Sequence, residues 1–186
     1  MVSNAPSRIL NVAVGGPQAV GKTSTLRIIS RLRPDIDILF FGEQLPATFQ
    51  EESPAEKDRV RTEVAGHIAS KLTRRERVTL VDLHYLDLRE PNPRIQHPEF
   101  LVYFDLLVFL SVSPEALWKR RAGDTGRSNR PMQVAHVERE VDAHLRYFDE
   151  LVSHGVNATL IDCQSQALEV AKKLLRQVDR GEHASG

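Results

Sequence analysis

Short apolar runs recur along the chain and predict a set of strands. Five runs have the length of a strand and are bounded by turn-forming or polar residues: 9–14, 36–41, 78–81, 106–112 and 156–161. The fourth run shows no alternation of apolar and polar residues, which is typical of a strand that is buried on both faces. A buried sheet is therefore the first structural expectation.

Helical signals lie between the apolar runs. Ser53 and Ser113 each precede a proline, and a capping serine followed by proline at the first helical position is typical of a helix start. Behind Ser53, apolar residues recur every four positions, as on one face of an amphipathic helix. The signals predict helices over about 22–32, 54–75, 114–121, 133–154 and 166–178, a loop over 83–98 and fraying over 180–186.

Strands that alternate with helices in this order predict the α/β class with a parallel sheet. Ligands of such folds bind beyond the carboxyl ends of the strands. A chain of 186 residues is long enough for one well-buried core and too short for two ordinary domains. We therefore expect a single domain over residues 1–186.

Composition excludes several classes of protein. Hydrophobic residues make up 41% and charged residues 27%, which is the balance of a soluble globular chain. No apolar run approaches a membrane span and the first residues lack a secretory signal, so we expect a cytoplasmic protein. Lys+Arg and Asp+Glu are equal at 25 each, so a nucleic-acid partner is not expected and any anion site must be local. The single cysteine, Cys163, excludes an internal disulfide and is expected in the core.

A glycine-rich motif follows the first predicted strand and opens the first predicted helix. Residues 16–23 read Gly-Pro-Gln-Ala-Val-Gly-Lys-Thr, which fits the P-loop pattern of Gly, four free residues, Gly, Lys and Ser or Thr. Glycines let successive backbone N–H groups face an anion, and the helix presents its positive end to the same anion. Lys22 is expected on the β- and γ-phosphates and Thr23 on magnesium. The predicted nucleotide-binding residues of this segment are Gly16, Ala19, Val20, Gly21, Lys22, Thr23 and Ser24.

Asp82 follows the third predicted strand. A carboxylate at a strand end is where a second group would hold magnesium beside Thr23, although such a residue can also simply cap the next turn. His84 follows closely, either as a ligand or catalytic group or as a residue that satisfies a local hydrogen bond.

An arginine-rich segment covers about 120–131, between the third and fourth predicted helices. Its charged residues are Arg120, Arg121, Asp124, Arg127 and Arg130, and glycines lie among them. Arginines bind phosphate with several donors and glycines permit movement, so the segment predicts a lid that closes over a triphosphate. The alternative is a solvated basic loop at the end of a helix, where the helix dipole favours cations.

These motifs together resemble the nucleoside monophosphate kinases, in particular the small archaeal-type adenylate kinases. The resemblance includes residues 20–24, residues 81–84 and the arginine segment, in the same order along 9–162. It implies a three-layer α/β/α P-loop fold with a five-stranded parallel sheet, and transfer of the γ-phosphoryl group of ATP to a nucleoside monophosphate. It also implies Arg120 or Arg121 against the adenine or phosphates and Arg127 on the transferring phosphoryl group. The predicted catalytic residues are Lys22, Asp82, Arg121 and Arg127, with Mg²⁺ as cofactor.

The acceptor side, about 42–76, departs from this family's pattern. The family carries an arginine for the monophosphate after the second strand, whereas residues 43–52 contain no arginine and three glutamates, which would repel a phosphate. A neutral or cationic acceptor, such as a sugar or a nucleoside, is therefore an alternative to a nucleoside monophosphate.

A regulatory P-loop NTPase that signals to a protein partner is the alternative function. The guanine-reading Asn-Lys-x-Asp motif of GTPases is absent from the sequence, and a lid that excludes water favours a kinase. The basic cluster near 71–77 is expected to be a solvated helix end, because no aromatic residue is interleaved with it.

Overall fold

The central sheet contains five parallel strands in the part of the chain that the computed structural model describes, residues 9–74, 76–87, 94–96, 98–123 and 133–183. The strands are β1 (Asn11–Gly15), β2 (Asp37–Phe40), β3 (Thr79–Asp82), β6 (Leu106–Ser111) and β7 (Ala158–Asp162). Their order in the sheet is β2-β3-β1-β6-β7, so β1 lies between β3 and β6 while β2 and β7 form the edges.

Five α-helices connect or follow these strands within the described residues. They are α1 (Lys22–Leu32), α2 (Pro54–Leu72), α3 (Pro114–Ala122), α4 (Val134–Ser153) and α5 (Ala167–His183). A two-residue antiparallel ladder pairs β4 (Leu86–Asp87) with β5 (Arg94–Ile95). Short 3₁₀ helices cover Phe41–Gln44, Ala47–Glu51 and Pro98–Tyr103. No helix of the described part is long and apolar enough to cross a membrane.

The two faces of the sheet bury two different clusters. Because side chains alternate along a strand, Val12 and Val14 of β1 face one way, onto α1 and α5, while Ala13 faces α2 and α4. Fully buried Leu26 of α1 and Leu174 of α5 fill the first cluster. The result is the three-layer α/β/α fold with a five-stranded parallel sheet that the resemblance implies.

Serine caps start two of the helices as expected. The Ser53 side chain accepts a hydrogen bond from the Glu56 N–H, and the Ser113 side chain accepts one from the Ala116 N–H. Each cap satisfies a backbone donor that the first helical turn leaves without a partner.

Two expectations about the chain's organisation are corrected. The stretch predicted as loop after Asp82 contains the β4–β5 ladder. Helix α5 continues to His183, whereas fraying was predicted from residue 180. Arg33 contacts this part of α5, with an ion pair to Glu182 at 3.9 Å beside one to Asp179 at 3.0 Å.

The register of the sheet brings two loops together at its carboxyl edge. Val14 of β1 pairs with Asp82 at the end of β3, so the loop that leaves β1 begins beside Asp82. On the other side of β1, Gly15 pairs with Phe109 of β6. The motif of residues 16–23 therefore emerges between the ends of β3 and β6.

Candidate phosphate-binding site

The loop between β1 and α1 takes backbone conformations that favour glycine. Gly16 has a φ of 144°, and a Cβ there would lie 2.3 Å from the Leu110 carbonyl oxygen. Gly21, directly before α1, has a φ of 112°, and Ala19 also lies in the left-handed region at 70°. A side chain at Gly16 would be strained and would collide with backbone, which explains why the first glycine of the motif is required.

Lys22 is buried although it is a lysine. It is 6% exposed, and its Nζ donates to the carbonyl oxygens of Gly16 at 2.8 Å and Pro17 at 3.0 Å. The buried ammonium group is therefore held against the loop backbone, and Lys22 is itself the first residue of α1, at the positive end of that helix. This arrangement provides a concentrated positive charge for an anion.

Thr23 and Asp82 are in contact. The Thr23 hydroxyl donates to the Asp82 carboxylate at 3.2 Å, across 59 positions of sequence. The two residues therefore offer neighbouring hydroxyl and carboxylate oxygens, which are the ligands that Mg²⁺ prefers. This donor set fits magnesium at the carboxyl ends of β1 and β3.

Arg121 lies in the core of the site instead of in an open loop. It is 3% exposed, and its Nε and Nη2 donate to the Gln18 carbonyl at 3.3 Å and 3.0 Å. Nη2 also pairs with one carboxylate oxygen of Glu140 on α4, and the other oxygen of Glu140 accepts the Gln18 N–H at 2.9 Å. Arg121 and Glu140 thus hold both backbone groups of a residue at the tip of the loop.

Arg120 connects the other end of the loop to β7. One guanidinium nitrogen donates to the Val20 carbonyl at 2.6 Å, and the other donates to the Cys163 carbonyl. Cys163 itself is buried, as expected, and burial raises the pKa of its thiol to about 11.

Three residues at the site, two of them buried and one partly buried, have no recognisable signal in the sequence. The Tyr85 ring occupies the space beside Gly15, where a Cβ would lie 2.3 Å from the ring. Its hydroxyl lies 3.0 Å from the Ala13 carbonyl and 3.1 Å from the Val108 carbonyl. His144 and Glu140 belong to α4, far from the motif in sequence, so only the packing of α4 against the loop reveals their place.

Two arginines of the acceptor-side segment, and Arg27 of α1 beside it, are paired with carboxylates. On α2, Arg61 pairs with Asp58 at 3.0 Å and its guanidinium lies 5.1 Å from the centre of the Phe49 ring. On α1, Arg27 pairs with Glu43 at 3.4 Å. The other arginine of α2, Arg59, pairs with two glutamates of the same helix.

Part of the predicted lid lies outside the described residues. The structure describes Arg120 and Arg121 at the end of α3, but Asp124, Arg127 and Arg130 fall within 124–132, which it does not describe. The role predicted for Arg127 stays a prediction.

The sequence matches no protein-family model and no curated protein sequence. Solved structures match it along nearly the whole chain. A shikimate kinase from Acinetobacter baumannii, solved in complex with shikimate, is 21% identical with a TM-score of 0.60, over 92% of this chain and 94% of that one.

Two other similar structures are named as kinases of other substrates. A gluconokinase from Sinorhizobium meliloti 1021 is 16% identical with a TM-score of 0.62, over 95% of this chain and 97% of that one. A deoxyadenosine kinase from M. mycoides is 12% identical with a TM-score of 0.54, over 91% and 98%. The chain therefore has the α/β fold of the P-loop kinases.

Proposed function

We propose that this protein is a cytoplasmic, ATP-dependent kinase that transfers the γ-phosphoryl group of ATP to a hydroxyl group of a small molecule. The contact between Thr23 and Asp82 at 3.2 Å carries the proposal, because it joins the P-loop to a carboxylate at the end of the neighbouring strand. P-loop phosphotransferases need a phosphate cradle and oxygen ligands for magnesium at this place.

The positive charge of the cradle supports the proposal that it binds the phosphates of ATP. The positive end of α1 and the buried Nζ of Lys22 offer compensation for an anion. Lys22 now donates to two loop carbonyls, so phosphate oxygens would replace these acceptors. Thr23 and Asp82 would hold magnesium, which when bound supplies charge neutralisation for the phosphates.

Arg121 offers a donor for the transferring phosphoryl group. Its Nη1 is buried and has no hydrogen-bond acceptor among the described residues, whereas its other two nitrogens are occupied by Gln18 and Glu140. A buried guanidinium nitrogen without an acceptor costs stability, which a phosphoryl oxygen would recover. Arg120, beside Val20, is the proposed contact for the nucleotide base.

The transfer itself requires one proton acceptor. The acceptor's hydroxyl oxygen bonds to the γ-phosphorus as the bond to the bridging oxygen breaks, and ADP leaves with that electron pair. The hydroxyl proton passes to a base, for which Asp82 is our candidate because it lies at the carboxyl end of β3. Lid residues, Arg127 among them, would exclude water from the reaction.

The charges of the acceptor side favour a hydroxyl compound without a phosphate group. Arg27, Arg59 and Arg61 all pair with carboxylates, so a monophosphate that binds one of these three arginines would displace its partner. The three similar structures described above are named as kinases of shikimate, gluconate and deoxyadenosine, and the last is described with the products dCMP and dCDP bound. A nucleoside monophosphate, which the family resemblance implies, is the second candidate acceptor.

The test is ADP release from MgATP, with the protein alone and with each member of a panel of nucleosides, sugars, hydroxy acids and nucleoside monophosphates. We expect strong stimulation by one hydroxyl compound and none by monophosphates. Stimulation by a monophosphate alone would move the assignment to the second candidate. Equal slow hydrolysis with every compound would contradict the kinase and favour a regulatory NTPase.

A further inference from the structure

The outer face of α4 carries an ordered row of charges. Arg139, Asp142, Arg146 and Asp149 line one shallow surface cavity together with Leu145. The four charged residues are exposed, and their spacing of three or four positions keeps them on one side of the helix. No ion pair joins any of them to another residue of the described part of the chain.

When the row is laid against a reversed copy of itself, each positive residue lies opposite a negative one. Arg139 and Asp149 are equally distant from position 144, and so are Asp142 and Arg146. A two-fold axis at that level would place Arg139 of one chain opposite Asp149 of a second copy, and Asp142 opposite Arg146. A parallel arrangement would instead bring identical charges together. The charge pattern therefore favours an antiparallel pair of α4 helices, which is a closed two-fold contact.

Apolar surface lies beside the charges. Leu145 is partly buried and sits near the centre of the row, and it lines a cavity with Leu160 of the edge strand β7. Leu160 is 42% exposed, and Val152, one turn beyond Asp149, is 46% exposed. An apolar centre with a charged rim is the usual composition of a protein–protein interface.

We propose that this α4 face, formed by Arg139, Asp142, Leu145, Arg146, Asp149 and Leu160, is the interface of a two-fold symmetric homodimer with antiparallel α4 helices. At 20 residues, α4 spans about 30 Å, enough for a contact along its length. The dimer would cover the exposed side of the edge strand β7. It would also support the helix whose Glu140 holds the P-loop.

Charge reversal tests the interface and its symmetry. The wild-type chain is expected to have twice the mass of one chain in analytical ultracentrifugation at micromolar concentration. Arg146→Asp alone, or Asp142→Arg alone, would bring like charges together twice per dimer and raise the dissociation constant by about a hundredfold. The matched control is Lys172→Glu on α5, on the other side of the sheet, which should stay dimeric.

Mixing the two variant chains tests whether residues 142 and 146 face each other across the two-fold axis. A mixture of the Arg146→Asp and Asp142→Arg chains restores opposite charges across the axis, so it should form heterodimers although each variant alone is monomeric. The double variant should form homodimers again for the same reason. Circular dichroism of each variant verifies that the fold is retained.

Several results would overturn the proposal. A wild-type chain that is monomeric at high micromolar concentration would exclude the dimer. Variants that remain fully dimeric would place the contact elsewhere. If both single variants are monomeric but neither the mixture nor the double variant recovers, the antiparallel pairing is wrong.

Discussion

The donor side and the acceptor side of this molecule are built in different ways. On the donor side, charged residues such as Lys22 and Arg121 are buried and bound to the loop backbone. On the acceptor side, Arg59 is exposed, and its ion pairs within the described residues are with its own helix. Buried polar contacts are costly to break, whereas exposed ion pairs contribute little. The difference indicates that the loop of the proposed phosphate site is held in place by buried contacts, whereas the charges of the acceptor side are exposed.

The largest effect is expected at Lys22, and Lys57, which also donates to a backbone carbonyl, is the control. Lys22→Ala removes a buried ammonium group from the cradle and is expected to lower acceptor-stimulated turnover by about a thousandfold, because charge stabilisation of the phosphoryl group is lost. Lys57→Ala, whose exposed Nζ donates to the Gln50 carbonyl, is expected to change turnover by less than about threefold. The measurement is ADP release at saturating ATP, with circular dichroism as the folding control. An equal loss of turnover in both variants would contradict a special role for the buried lysine of the donor side.

The second comparison concerns two glutamates that pair with arginine. Glu140→Gln leaves the buried Arg121 without its countercharge and is expected to lower the free energy of unfolding by about 3 kcal/mol. It should also weaken ATP binding, since a glutamine has one acceptor oxygen for the two donors that Glu140 serves, the Gln18 N–H and Arg121 Nη2. Glu56→Gln breaks a pair at the surface of α2 and should have a much smaller effect on either quantity. Urea unfolding and ATP titration measure both, and wild-type ATP affinity in Glu140→Gln would mean that the pair does not position the loop.

The same contrast explains which parts of the fold and of the candidate site can be predicted from the sequence. The P-loop and the parallel sheet are predictable, because glycine spacing and apolar runs are local signals. The contact of Thr23 with Asp82 follows from one further rule, since carboxyl ends of parallel strands meet at one edge. Glu140 and Tyr85 were not predictable, because their partners lie on distant elements and neither has a local pattern. The residues that bind the acceptor could not be predicted, because no recognisable motif lies on the acceptor side.

A third prediction compares two glycines. Gly15→Ala would put a methyl group 2.3 Å from the Tyr85 ring, which is fully buried and packs on Phe109 at 4.3 Å between ring centres. The ring has no room to move, so we expect a loss of about 2 kcal/mol in the free energy of unfolding. Gly42→Ala meets no atom within 4 Å and should change that energy by less than about 0.5 kcal/mol. Similar values for the two variants in urea unfolding would contradict the packing argument.

The smallest expected effect concerns His144, which donates from Nδ1 to the Glu140 carbonyl at 2.8 Å. Burial, together with the positive charges of Lys22 and Arg121, lowers the pKa of His144 to about 4, below the ordinary value of 6.5. Between these values the unfolded chain binds a proton that the folded chain does not, so stability falls as pH drops from 6.5 towards 4. At pH 5.5 the loss relative to pH 7.5 is about 1 kcal/mol.

Two histidine variants isolate this contribution, again with one residue on each side of the molecule. His144→Gln removes the titrating group, so the difference in unfolding free energy between pH 7.5 and pH 5.5 should shrink by about 1 kcal/mol relative to wild type. His67→Gln, at an exposed position of α2, should keep the wild-type difference. Urea unfolding at both pH values supplies the comparison. An unchanged pH dependence in His144→Gln would mean that the histidine beneath the P-loop is not held neutral, and the donor side would lose part of its preorganised character.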